Sequence, residues 1–295
     1  ELTATLRANT DALNTCSNHC DDALWETGAP HPLLKTLGLS LFHAGLGRAA
    51  VAFCAPIAET AIRLLGPHDL NTLSAQEDLG SAHRHAGRAS DAISVFEPAT
   101  AGFIQILGPD DPRTLIAQDN LACAYVEAGR IEDAIIKLEP TAAGLSRVLG
   151  ADHPDALIAQ GNLAAAYLKG GRTGEAITIL ERVVAENARL LGADDPRTLN
   201  ARANLASAYW QADRIREAIQ ITEEVGADRA RVLGADHPDA LHSRANLVVA
   251  YGEDGRPREA ITVGEEVVAD LSQVLGDDHP STPAAYGSLA ESYNR

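Results

Sequence analysis

A Leu-Gly pair recurs with its glycine at Gly66, Gly108, Gly150, Gly192, Gly234 and Gly276, a constant step of 42 residues. The same step carries Leu79, Leu121, Leu163, Leu205, Leu247 and Leu289, the tyrosines Tyr125, Tyr167, Tyr209, Tyr251 and Tyr293, and the alanines Ala92, Ala134, Ala176, Ala218 and Ala260. A fixed period of this length over about four fifths of the chain is the mark of a repeat architecture, in which one supersecondary unit is stacked on copies of itself.

One unit, Asp111 to Gly150, reads as two helices. A proline follows Asp or His at Asp111-Pro112, His153-Pro154, Asp195-Pro196, His237-Pro238 and His279-Pro280. Proline suits the first position of a helix, where its missing N–H is not needed, and the residue before it can cap. Helix A therefore starts there. Its apolar residues Leu115, Leu121, Ala124 and Tyr125 lie near helical spacing, and Gly129-Arg130 supplies the left-handed stop, so helix A ends near residue 128. Helix B opens on Ile131-Glu132-Asp133-Ala134, with acidic groups where the helix dipole favours them, and runs to Leu149-Gly150. The recurring alanine at 134 lets helix A approach closely. A single pair cannot cover its own apolar face, so neighbouring pairs must stack into a solenoid with a continuous core.

The period divides the chain, read as a single domain over 1–295, into full repeats at 67–108, 109–150, 151–192, 193–234 and 235–276. Residues 31–66 read as a shortened repeat: His31-Pro32 and Gly47-Arg48 match the landmarks, but Gly47 to Gly66 spans 19 residues against 21 later. A half-repeat at 1–30, with residues 1–27 like a lone helix B, and another at 277–295, with 279–293 like a lone helix A, close the ends. Half-repeats imply caps or lost neighbours, and their apolar faces make association of two copies through the solenoid ends an expectation. Asp213-Arg214 replaces Gly-Arg in one unit, and Pro283 stands where the other units carry leucine.

Composition narrows the function. The formal charge of −17, from 41 acidic and 24 basic side chains, opposes binding to a phosphate backbone, so nucleic acid is not expected as a partner. No run of 18 apolar residues occurs and the start at Glu1 has no signal-peptide pattern, which predicts no membrane partner and a cytoplasmic protein. Only three lysines (Lys35, Lys137, Lys169) among many Ala and Gly point to a high-GC bacterial genome, and the absent initiator Met fits a piece of a longer chain. Cys16, Cys20, Cys54 and Cys123 are too few and scattered for a disulfide scaffold.

The run Leu149-Gly150-Ala151-Asp152-His153-Pro154, then Leu157, then Asn162-Leu163-Ala164 with Tyr167, then Gly171-Arg172, then Glu175-Ala176-Ile177, resembles the 42-residue tetratricopeptide repeat of kinesin light chains and many bacterial signalling proteins. The resemblance covers roughly residues 28–293. It implies an all-α fold, a right-handed superhelical solenoid of about fourteen antiparallel helices whose A helices line a groove for an extended or short helical peptide. In bacteria such repeats resemble the sensing part of multidomain signalling ATPases and transcriptional regulators, which implies an adaptor or sensor within a larger regulatory protein. A small-molecule or signalling-peptide sensor that changes superhelical pitch is the alternative.

By that resemblance the asparagine before the Leu-Ala pair faces the groove, at Asn120, Asn162, Asn204 and Asn246, while Asp78 and Ser288 take the same place in the outer units. One amide offers both a donor and an acceptor and so matches a peptide backbone. A structural hydrogen bond to the neighbouring helix would keep these asparagines equally well. The same helix face carries Ile116, Ile158, Asn200 and His242 one turn earlier, and Cys123, Ala165, Ser207 and Val249 nearly one turn later. Trp210 reads either as a partner anchor or as partly buried core, the latter preferred.

Other constellations carry less. His153, His237 and His279 lie in successive repeats, at least a helix-packing distance of about 8–10 Å apart, whereas zinc ligands lie about 2 Å from one ion, so helix N-capping or loop hydrogen bonding is expected and metal is not. Cys16, His19 and Cys20 share one helical turn, yet a closed site needs a fourth ligand, and small core cysteines beside a surface His are the simpler reading. His83 and His85 flank Arg84, with His83 in the recurring tyrosine's place, and no nucleophile or acid partner accompanies them. Gly170-Gly171-Arg172-Thr173-Gly174 falls on the turn between helices A and B. No phosphate loop, zinc-protease or nucleophile-elbow motif occurs, so neither catalysis nor a cofactor is expected.

Overall fold

The computed structural model describes residues 46–275 and 281–294, together with Leu34, Leu37, Gly38 and Leu41. The half-repeat at 1–30, the Cys16–His19–Cys20 turn and His279-Pro280 lie outside the described residues. Twelve helices occur among the described residues: α1 Gly47–Leu65, α2 Leu70–His85, α3 Ala89–Leu107, α4 Pro112–Glu127, α5 Ile131–Leu149, α6 Pro154–Lys169, α7 Thr173–Leu191, α8 Pro196–Gln211, α9 Ile215–Leu233, α10 Pro238–Glu253, α11 Pro257–Leu275 and α12 Ser281–Tyr293. No strand accompanies them there. The fold is all-α, as the pattern predicts. A-type helices (α2, α4, α6, α8, α10) have 16 residues and B-type helices (α1, α3, α5, α7, α9, α11) have 19.

Contacts divide the chain into two compact units, Glu1–Asn162 and Leu163–Arg295, with α6 giving its first half to one and its second half to the other. In the first unit α1 to α5 pack in sequence and the A-type pair α2 and α4 also touch; in the second, α7 to α12 pack in sequence and α10 touches α12. This is nearest-neighbour stacking within each unit.

The starts and stops follow the residues. Arg113 N–H donates to Asp111 Oδ1 at 2.9 Å and Arg197 N–H to Asp195 Oδ1 at 2.8 Å. Asp155 N–H and Asp239 N–H donate to Nδ1 of His153 and His237, each at 3.2 Å. The recurring histidines that can be described are therefore N-caps, each serving its own helix. The alanine ladder is buried throughout, no member exceeding 2% exposure, so at this register no side chain beyond a methyl holds the A and B helices apart.

The recurring tyrosine and the Gly-Arg landmark explain one another. Arg130, Arg172, Arg214 and Arg256 lie over the rings of Tyr125, Tyr167, Tyr209 and Tyr251 at 3.9–4.2 Å, and each is the arginine just past the helix stop. The phenol of Tyr125 donates to Glu97, Tyr209 to Glu181 and Tyr251 to Glu223 on the preceding B-type helix, as Tyr293 does to Glu265. Cation–π contact and a charge-assisted hydrogen bond thus fix the ends of α4, α8 and α10 to their neighbours. His83, in the tyrosine's place, is half-buried, with Nδ1 3.8 Å from Asp91, and burial lowers its pKa; it is the substitute for tyrosine that the register predicts.

One landmark is corrected. α1 is as long as every other B-type helix, and Gly47 is its first residue, in the register of Ala89 and Ile131. Gly47-Arg48 had the appearance of the turn pair, but Leu46 occupies the capping position that Arg88 and Arg130 hold, so the second helix of the 31–66 repeat is not shortened. Gly47 sits there because a Cβ would fall 2.5 Å from the carbonyl oxygen of His85. Pro283 falls in the first turn of α12, where a missing N–H costs nothing, so the leucine register is broken without breaking the helix.

Asp213 takes the left-handed turn with φ 60°, where the other described units have Gly87, Gly129, Gly171 and Gly255. A Cβ is strained there, so Asp213→Gly is expected to stabilise the fold by about 0.5–1 kcal/mol. The check is a rise in the thermal midpoint; an unchanged or lower midpoint would show that the turn tolerates aspartate.

Candidate functional site

The face predicted to bind runs along the A-type helices, and each unit presents its own part. In the first unit, Asp119, Cys123 and Glu127 follow one another at i, i+4 and i+8 along α4. Arg84 of α2 donates to Glu127 Oε1 through Nε at 3.0 Å and Nη2 at 2.7 Å. Asn162 of α6 donates to Asp119 Oδ2 at 2.7 Å. Asp119 is 6% exposed and its Oδ1 has no partner among the described residues; burial pushes its carboxyl up to about 6, against the pull of Asn162 and Arg84. Burial likewise pushes the Cys123 thiol up to about 12, with Asp119 adding to it, so this half-buried cysteine is no nucleophile at neutral pH. Asn120 and Ile116 are half-buried and Ile158 is 49% exposed.

Of the predicted ladder in this unit, Asn162 serves an interhelix hydrogen bond. The reason is local: the register that holds Gly161, Ala203 and Ala245 in later units holds Asp119 here, and a buried carboxylate needs a donor.

The second unit is different. Asn204 and Asn246 are exposed, as are Ser207, His242 and Val249, while Ala165 is half-buried. Asn200 is exposed and accepts from Arg229 Nη2 at 2.6 Å. Between α8 and α10, floored by α9, lies a cavity of about 290 Å³. Of the predicted residues it gathers Ser207, Trp210, Asn246 and Val249; Asn200, Asn204 and His242 do not line it. Trp210 closes one end, half-buried against the cluster of Ile219, Leu247 and Tyr251, so it is at once core and wall.

Arg229, on the floor, was not picked out from sequence. Its Nη1 donates to Ser243 Oγ at 2.8 Å and the Asp239 carbonyl at 3.4 Å. The signal is present in the register: Ala61, Phe103, Leu145, Asn187 and Leu271 stand at the equivalent positions, and all are buried and uncharged. A cation in a core register is a local break in the pattern, the kind that marks a functional position. Among the described residues no group of three or more metal-ligating side chains converges, and no helix is long and apolar enough to cross a membrane.

Comparison with known proteins decides the family. Models of the tetratricopeptide repeat match residues 79–139 and 171–225, 120–189, and 240–281. A kinesin light chain candidate from Podosopora anserina with nearly identical TPR-like repeats is 32% identical, over 70% of this chain and 97% of its own, with a TM-score of 0.60. The chain belongs to the tetratricopeptide repeat family. BtubC from P. vanneervenii matches this tetratricopeptide fold with a TM-score of 0.63 at 19% identity, over 78% of this chain and 92% of that one. A Rap conjugation gene regulator solved in complex with the Phr* peptide matches it at 0.59 and 16% identity, over 78% of this chain and 64% of that one. No curated protein sequence matches the chain significantly.

Proposed function

We propose that the A-type helix face of this tetratricopeptide chain holds a peptide or protein segment, and that the chain acts as an adaptor or sensor, one solenoid domain of a larger bacterial regulatory protein in the cytoplasm. Stacked helix pairs offer extended surfaces for binding other proteins. The observation that carries the reading is in the second unit. Asn204 and Asn246 present exposed amides with no hydrogen bond among the described residues, Asn246 lining an apolar cavity walled by Trp210 and Asn204 standing near it. Amides supply backbone-matching donors and acceptors, and an indole wall supplies an anchor point. The Rap regulator, whose likeness speaks to fold, was solved in complex with a peptide.

Selection of binders from a random peptide library tests the reading. Peptides selected on the parent chain are expected to lose at least about tenfold in affinity for the Asn204→Ala, Asn246→Ala double variant, the equivalent of about 1.4 kcal/mol. Since both amides are exposed, helicity and thermal midpoint are expected to stay. Equal affinity for both chains would move the site to another face.

A further inference from the structure

We infer that the cavity between α8, α9 and α10 is a site for a small elongated organic anion, an apolar body ending in a carboxylate, with Arg229 as its anchor and Trp210 as its far wall. The inference does not rest on the peptide reading, although both use the Trp210 wall of this cavity. Its first support is the isolation of the Arg229 charge. Nearby arginines are each held by two carboxylates: Arg202 by Glu224 and Asp228, Arg231 by Asp194 and Asp228, Arg244 by Glu266 and Asp270. Among the described residues Arg229 donates only to neutral acceptors, the Asn200 amide oxygen, the Ser243 hydroxyl and the Asp239 carbonyl. In a chain of net charge −17, a half-buried cation left without a counter-charge is the exception. Its Nε–H and one Nη2–H have no partner among the described residues, and a guanidinium matches a carboxylate with paired donors.

The second support is the shape and lining. Ala218, Thr222, Val225 and Arg229 line the floor from one face of α9, spanning eleven residues, or about 16 Å at 1.5 Å per residue. Trp210, packed near the start of α9, lies at the end away from Arg229. Between the two ends the walls are small or apolar, with Ala203, Ala206, Val249 and Ala250 among them. A cation at one end, an indole at the other and methyl groups between suit a narrow amphipathic acid whose ring or alkyl end meets the tryptophan. The volume of about 290 Å³ limits the occupant to a small molecule.

The probe is 5-phenylpentanoate, with 5-phenylpentanol as its uncharged match, titrated calorimetrically into the full chain. Phenylpentanoate is expected to bind at least about tenfold more tightly than the alcohol, and Arg229→Leu to remove that preference while leaving the alcohol's weak binding intact. Leucine already stands in this register at Leu145 and Leu271, so the variant keeps the fold, which circular dichroism verifies. Trp210→Ala is expected to weaken both ligands. No binding of phenylpentanoate, equal binding of the alcohol, or a preference that survives Arg229→Leu would each overturn the assignment.

Discussion

Asp119→Asn is expected to raise the stability of the first unit by about 2–3 kcal/mol at pH 7, and by almost nothing at pH 4. The carboxyl lies in a buried site between α4 and α6 with one oxygen unpartnered among the described residues. Burial lifts its pKa from 3.8 to about 6, which at about 1.4 kcal/mol per tenfold in acidity corresponds to roughly 3 kcal/mol. Because the folded value is raised, protonated Asp119 favours the fold fully below pH 3.8, and that contribution is lost as pH rises through about 6. Parent and variant midpoints should therefore converge on acidification, and Asn162 keeps an amide oxygen to bond. Parallel midpoints from pH 4 to 7 would mean that Asp119 does not carry this charge penalty.

Pro140→Ala is expected to stabilise the same unit by about 2 kcal/mol. Pro56, Pro98 and Pro140 occupy one register inside α1, α3 and α5, where Arg182, Glu224 and Glu266 stand in the later B-type helices. Proline in a helix interior lacks the N–H that would meet the carbonyl four residues back and costs about 3 kcal/mol relative to alanine. Exposure of Ile136 lets water take part of that loss, which lowers the expected gain. Pro140 itself is exposed, so alanine sacrifices no packing. Thermal unfolding reads the result; a destabilised variant would show that the bend imposed by Pro140 is needed for α5 to fit α4.

The positions of the helices were legible because one period repeats every start and stop. Asp111-Pro112 and Gly129-Arg130 bracket α4 as they bracket its equivalents, and repetition averages out any ambiguity in a single unit. The capping role of His153 and His237 followed from the same spacing. Gly47 misled because a Gly-Arg pair was matched by identity, while packing against the His85 carbonyl put that glycine at a helix start.

The binding face was only partly legible, for a physical reason. A register shared by all repeats is dominated by packing, whereas function resides in the breaks. Asp119, which shares its register with Glu77 and then Gly161, Ala203 and Ala245, and Arg229, a cation among Ala61, Phe103, Leu145, Asn187 and Leu271, are such breaks, and likeness between the ladders hides them. Asn162 shows the consequence, since the neighbouring Asp119 turns a groove amide into an interhelix donor. The tyrosine to glutamate bonds span 28 residues, a separation that no single repeat displays.

The central claim is that the A-type face is the binding surface, and amide hydrogen exchange with and without a library-selected peptide tests it most directly. The account predicts slowed exchange in α8 and α10, with α9 changed little except beneath the cavity. Protection confined to the B-type helices α9 and α11, with α8 and α10 unaltered, would contradict it.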